Sequence, residues 1–202
     1  MNRADFIRMS TLAGMAPLCA PLFSFTGGNS GAEDTEMIAR LVAANDKLAG
    51  GLLETVQEGK LSFSRKTAYD FAILAGSFVE KSSAYYHDPR VITKLNILAR
   101  FLTDSQGPDG TVNVGNLESP PDTAFVIEIV TTATAALQQQ AVPELKPVLE
   151  QIRSMILKAG EALRTGGIHT PNHRWVICAA LSQIHSLYPD KKYVTRINEW
   201  LA

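Results

Sequence analysis

The side chains best suited to chemistry crowd into one stretch, GGIHTPNHRWVICAAL, residues 166–181. His169, Asn172, His173 and Arg174 lie together at the mouth of an apolar segment. Thr170-Pro171 reads as a helix start, with the threonine as N-cap and the proline as first helical residue. That places Asn172, His173 and Arg174 in the first turn, where the positive helix end disfavours a protonated imidazole. A neutral imidazole near pH 7 is what a general base needs, so His173 or His169 can take a proton. Asn172 and Arg174 supply donors to a carboxylate, Arg174 in bidentate fashion. A structural reading competes with this one. In it Asn172 bonds within the first turn, His173 is a satisfied half-buried histidine, and Arg174 pairs with Glu118 or Asp122.

A second group precedes another helix start. Asn113, Asn116, Glu118 and Asp122 fit the binding of sugar hydroxyls, and Asp122 would be a general acid in a hydrolase. Alone, Asp122 reads more simply as an acid favoured by the helix dipole. Glu128 falls inside a buried helix, as a partner for Arg174 or as an acid with a raised pKa. Trp175 is placed to bind substrate, although its apolar surroundings favour a core position. Asp109-Gly110 predicts a turn. His87 lies at the opposite end by this topology, and His185 reads as helix surface or core. No CxxC or HExxH spacing calls for a metal, and no cofactor is implied.

The elements that must position these residues are helices throughout. From Glu33 on the apolar period is near that of an α-helix, about 3.6 residues, and no strand is convincing. The expected helices run over 34–57, 65–86, 89–105, 121–140, 143–164, 170–188 and 190–201, with Pro89, Pro121, Pro143, Pro171 and Pro189 at or near starts. They are of two kinds. The first, third and fifth carry one apolar stripe each, for instance Ile38, Leu41 and Leu48, or Leu145, Leu149, Ile152, Ile156 and Leu163. The second, fourth and sixth are apolar nearly all round, as in TAFVIEIVTTATAAL, and must be covered on most sides. Connections after the second, fourth and sixth read as short ("HD", "AV", "P"). Those after the first, third and fifth are longer, so the long loops gather where the buried helices begin. A weak repeat agrees. Thr67-Ala68-Tyr69 returns as Thr123-Ala124-Phe125, and the segment from Pro121 to Ile127 aligns with that from Pro171 to Ile177.

Composition narrows the class. Apolar residues at 46% and charged residues at 19% describe a globular chain of 202 residues, and the net charge of −1 gives no electrostatic basis for nucleic-acid binding. Residues 1–26 read as an export signal. Arg3 and Arg8 flank a short basic region that resembles a degenerate twin-arginine signal, and the apolar stretch that follows, from about Met9 to Phe25, is too short and interrupted to span a membrane. A periplasmic or secreted location follows, with no membrane attachment of the mature form. Removing the signal leaves Cys178 alone, more simply a small buried apolar residue than a nucleophile.

Together GPDGTVNVGNLESPPDTAFV and GGIHTPNHRWVICAAL resemble segments of the toroid domain of heparinase II/III-type polysaccharide lyases. The resemblance covers about residues 65–202 and suggests only the N-terminal part of such a domain. It implies an all-α fold of helical hairpins, an incomplete (α/α) toroid or solenoid-like array over 27–202. It also implies β-elimination on uronate-containing glycans, with an acidic polysaccharide or oligosaccharide as partner. Elimination needs the substrate carboxylate neutralised and its C5 proton removed, roles for Asn172, Arg174 and a histidine. Tyr69 is the positional candidate for the acid that completes such a set. Two alternatives remain: a glycoside hydrolase using Asp122 with Glu118 or Glu128, and a non-catalytic fragment that binds glycan, a further toroid segment or itself.

Overall fold

The computed structural model describes residues 32–114, 119–168 and 170–202. The expected signal at 1–26 lies outside them, as do Asn116, Glu118 and His169. Among the described residues there are seven α-helices: α1 Ala32–Thr55, α2 Arg65–Val79, α3 Pro89–Asp104, α4 Pro120–Gln138, α5 Lys146–Thr165, α6 His173–Leu187 and α7 Lys191–Leu201. A 3₁₀ turn at Pro143–Leu145 leads into α5, and no strand occurs among the described residues. The chain separates into two compact units, Met1–Met37 and Ile38–Ala202. The second unit carries all the candidate residues that the structure describes.

Local chemistry starts these helices where the residue types demand it. The carboxylates of Asp88 and Asp190 and the hydroxyl of Ser119 accept the backbone N–H groups of Arg90, Lys192 and Asp122, satisfying donors that a helix start leaves open. Pro120 and Pro121 occupy first-turn positions where the missing N–H costs nothing.

Helices α2, α4 and α6 lie side by side in one layer, with α4 between the other two. The opposite layer is built by α3, which packs on α2 and α5, by α5, and by α7 against α6. The all-round apolar character of α4 has its cause here: it packs on α2, α5 and α6. Packing is close enough that a side chain on Gly160 of α5 would strike the Tyr193 ring of α7. Phe71, Phe78, Leu95, Leu98, Ile127 and Ile152 are fully enclosed, each contributing roughly 1.5–3 kcal/mol by leaving water.

Two expectations are corrected. The second helix stops at Val79 rather than continuing to residue 86, and a turn over 80–88 replaces its last turns. Asp46 on α1 is the reason. Its carboxylate accepts from the Ser77 hydroxyl at 3.1 Å, the Ser83 hydroxyl at 2.6 Å and the Ala84 N–H at 2.7 Å, holding the chain in turns. The connection after α2 is therefore not short. The second correction concerns α1, whose expected buried stripe of Ile38, Leu41 and Leu48 is exposed. Ala49, Leu52 and Val56 pack instead, and Asn45 ties the helix to α2 through the Ile73 carbonyl and the Ser77 hydroxyl.

Candidate functional site

Side-chain register shows that the starts of α2, α4 and α6 share one end of their layer. Arg65, first residue of α2, forms an ion pair with Asp122 in the first turn of α4. At the far ends His87 meets Gln140. For α4 and α6, the Thr131 hydroxyl donates to Gln183 and Gln138 donates to the Tyr188 hydroxyl, pairing middle with middle and end with end. Three parallel helices thus point their positive ends the same way.

The longest described connection is docked at this end. Gln106 donates from its amide nitrogen to the Gly110 carbonyl and to the Met155 carbonyl of α5, at 2.9 and 3.0 Å. Asp109-Gly110 forms the expected turn: Gly110 has φ +91° and lies against the Lys158 carbonyl so closely that a β-carbon would collide with it. Val112 is buried, and its N–H donates to the Thr123 hydroxyl of α4 at 3.0 Å. Asn113 follows on the exposed surface.

Of the expected site residues, Asp122 is engaged by Arg65 and by the Ser119 hydroxyl, which donates to it at 2.8 Å. It therefore serves α2 rather than Arg174. On α6, Asn172 is exposed and accepts from the Thr170 hydroxyl, but it makes no side-chain cap to the helix. Thr170 is not the N-cap, and α6 begins at His173. His173 and Arg174 are both half-buried. Successive helical residues are turned about 100° apart, so the two do not share a direction. Arg174 lies on the side of Cys178, whose thiol burial pushes up while the Arg174 and Arg196 charges act to lower it. The Arg174 Nε is enclosed and has no acceptor among the described residues. Trp175 is 61% exposed, so the core position expected from its surroundings is corrected. Helical register is the cause: of the buried positions of α6, Ile177, Ala180, Leu181 and Ile184 lie on the opposite side of the helix from Trp175.

Tyr69, 55% exposed, stands on α2. With α4 between α2 and α6, Tyr69 and His173 stand on helices that are not neighbours in the layer. An acid and a base acting on one glycosidic linkage must approach within hydrogen-bond reach of neighbouring atoms.

Glu128 is half-buried on α4, with its carboxyl pushed up by burial and no ion pair among the described residues. Cys178 is buried, as expected. Sequence reasoning missed Arg65, which also lies 4.6 Å over the Phe125 ring, and Arg196, which donates to the Gly166 carbonyl at 3.1 Å and stacks 4.4 Å over Trp200. A signal existed for the first, because Arg65 opens α2 at the level of the other helix starts. Two grooves lie on other parts of the described surface. One of about 580 Å³ runs between the end of α1 and α3, lined by Val56, Glu58, Lys94 and Arg100, and another lies in the α6–α7 turn beside His185. No group of three or more potential metal ligands occurs among the described residues.

Comparison with known proteins gives no match: no family model, no curated protein and no solved structure proves similar to the chain. The class that fold and site define is an all-α protein of helical hairpins in two layers.

Proposed function

We propose that the protein is an exported carbohydrate-active protein, a polysaccharide lyase acting by β-elimination on uronate-containing glycans from a segment of (α/α) toroid. The observation that carries the reading is the common end of α2, α4 and α6, where Asn172 and the half-buried His173 and Arg174 stand at the start of α6. Asn172 and Arg174 would bind the uronate carboxylate and stabilise the charge that develops when C5 loses its proton. His173, or His169, would take that proton. As the C4–O bond breaks, the electron pair from C5–H forms the C4–C5 double bond, and the same imidazolium returns the proton to the leaving oxygen. This syn route needs no separate acid.

One observation favours a second reading. The unpaired, half-buried Glu128 has the raised carboxyl that a hydrolase acid requires. A hydrolase would release reducing sugar without an ultraviolet-absorbing product. The test incubates the purified chain with a panel of acidic polysaccharides and follows the absorbance of the unsaturated uronate, with His173→Ala beside it. A rise abolished by the substitution supports elimination. Reducing sugar without absorbance, abolished by Glu128→Gln, would replace the lyase with the hydrolase.

A further inference from the structure

We propose that Arg174, Arg196 and the Trp200 indole form a binding site for a tetrahedral oxyanion, phosphate or sulfate, in the joint between α6 and α7. The proposal rests on the donors and charges of that joint and stands whichever reaction the start of α6 serves.

The residues come together by register. Arg174, Cys178, Leu181 and His185 follow at helical spacing and share one face of α6. At its far end His185 accepts the N–H of Asp190, the N-cap of α7, at 3.0 Å, so this face runs along α7. The two helices pack on each other across a short turn, and α7 returns toward the start of α6. There Arg196 donates to the Gly166 carbonyl at 3.1 Å and lies 4.4 Å over the Trp200 ring. The charges of Arg174 and Arg196 both act on the buried Cys178 thiol, which marks the centre of the cluster.

Hydrogen bonding and charge both ask for an anion here. Among the described residues, the enclosed side-chain donors that find no acceptor are Arg174 Nε, Arg196 Nε and Trp200 Nε1, and all of them belong to this joint. Buried donors are satisfied in the great majority of cases, so three together signal an acceptor supplied from outside the chain. Glu199 reaches Arg196 at 2.9 Å from a position 55% exposed, but no carboxylate among the described residues pairs with Arg174. The neighbours add no counter-charge. Burial holds the Cys178 thiol protonated, and the start of α6 contributes the positive end of its dipole. Water would satisfy the donors without offsetting the unpaired guanidinium, whereas an oxyanion does both. Access is open at the edges, because Arg174 is half-buried and the Arg196 side chain is 25% exposed. Shape narrows the class. A carboxylate presents its oxygens in one plane, while the donors here come from two helices and from an indole as well as guanidiniums, which suits a tetrahedral group.

The experiment titrates the full chain with sodium phosphate and sodium sulfate by calorimetry, at constant ionic strength set with sodium chloride. Saturable binding in the millimolar range or below is expected, with phosphate and sulfate competing for one site. Arg174→Gln and Arg196→Gln should each weaken it about tenfold or more, since each removes a charge-assisted donor. Arg174→Lys keeps the charge but loses the fork and should fall between. Trp200→Phe keeps a ring beneath Arg196 and loses only the N–H, so a loss of about threefold or more isolates that donor. Arg100→Gln on α3 is the control for unspecific charge, and circular dichroism verifies each fold. A sugar phosphate monoester distinguishes the sources: tighter binding than inorganic phosphate assigns the site to an esterified ligand, weaker binding to the free ion. No saturable binding by the wild-type chain would overturn the site, as would binding that Arg174→Gln and Arg196→Gln leave unchanged. A preference for acetate over phosphate would also overturn it and return Arg174 to a carboxylate.

Discussion

Replacing Gly110 with alanine should unfasten the long loop from the helix-start end, and the structure sets the size of the effect. Gly110 has φ +91°, a conformation that costs an ordinary residue about 1–2 kcal/mol. The added β-carbon would also collide with the Lys158 carbonyl on α5 and press on the Ala162 methyl at 3.3 Å. The Lys158 backbone leaves little room to yield, so the turn must lift. Lifting it threatens the bonds from Gln106 to the Met155 carbonyl and from Val112 to the Thr123 hydroxyl, each worth about 0.5–1.5 kcal/mol. The total is roughly 2–5 kcal/mol. At about 2–4 °C per kcal/mol for a domain of this size, the melting temperature should fall by about 4–20 °C. Thermal unfolding followed by circular dichroism measures this, with proteolysis reporting whether cleavage appears within residues 105–119. Gly167→Ala is the control, since nothing lies within 4 Å of a β-carbon there and its backbone requires no positive φ. Equal melting temperatures for the two variants would refute the account of how the loop is held.

The remaining predictions test charge and surface. Burial raises the Glu128 carboxyl above its ordinary value, so the folded protein holds that proton more tightly than the unfolded chain does. Ionising it in the fold is a cost that appears as pH rises through the raised value and is absent below the ordinary carboxylate range. Glu128→Gln should therefore raise the melting temperature at pH 7 and leave it unchanged at acid pH; a gain that persists at acid pH would contradict the burial argument. Leu41 on α1 is 64% exposed, so Leu41→Ser should alter stability by less than about 0.5 kcal/mol, as denaturant unfolding would show. A larger loss would mean that the stripe is covered in solution.

The parts of this architecture legible in the sequence are those that each helix carries within itself. The contrast between TAFVIEIVTTATAAL and the striped helix at Leu149, Ile152 and Ile156 is a record of how many neighbours each must have, and α4 and α5 occupy the corresponding layers. The turn at Asp109-Gly110 and the common end of the buried helices follow from the same local logic. What could not be read depends on partners supplied from elsewhere in the chain. The end of α2 is set by Asp46, remote in sequence, and nothing in the 80–88 stretch announces that carboxylate. The α1 stripe has the periodicity of a buried face, but periodicity specifies an apolar side without supplying a surface to cover it. For Tyr69 the place near a helix start is legible, whereas its lateral separation from His173 by α4 depends on how the hairpins pack on one another, which no single helix records.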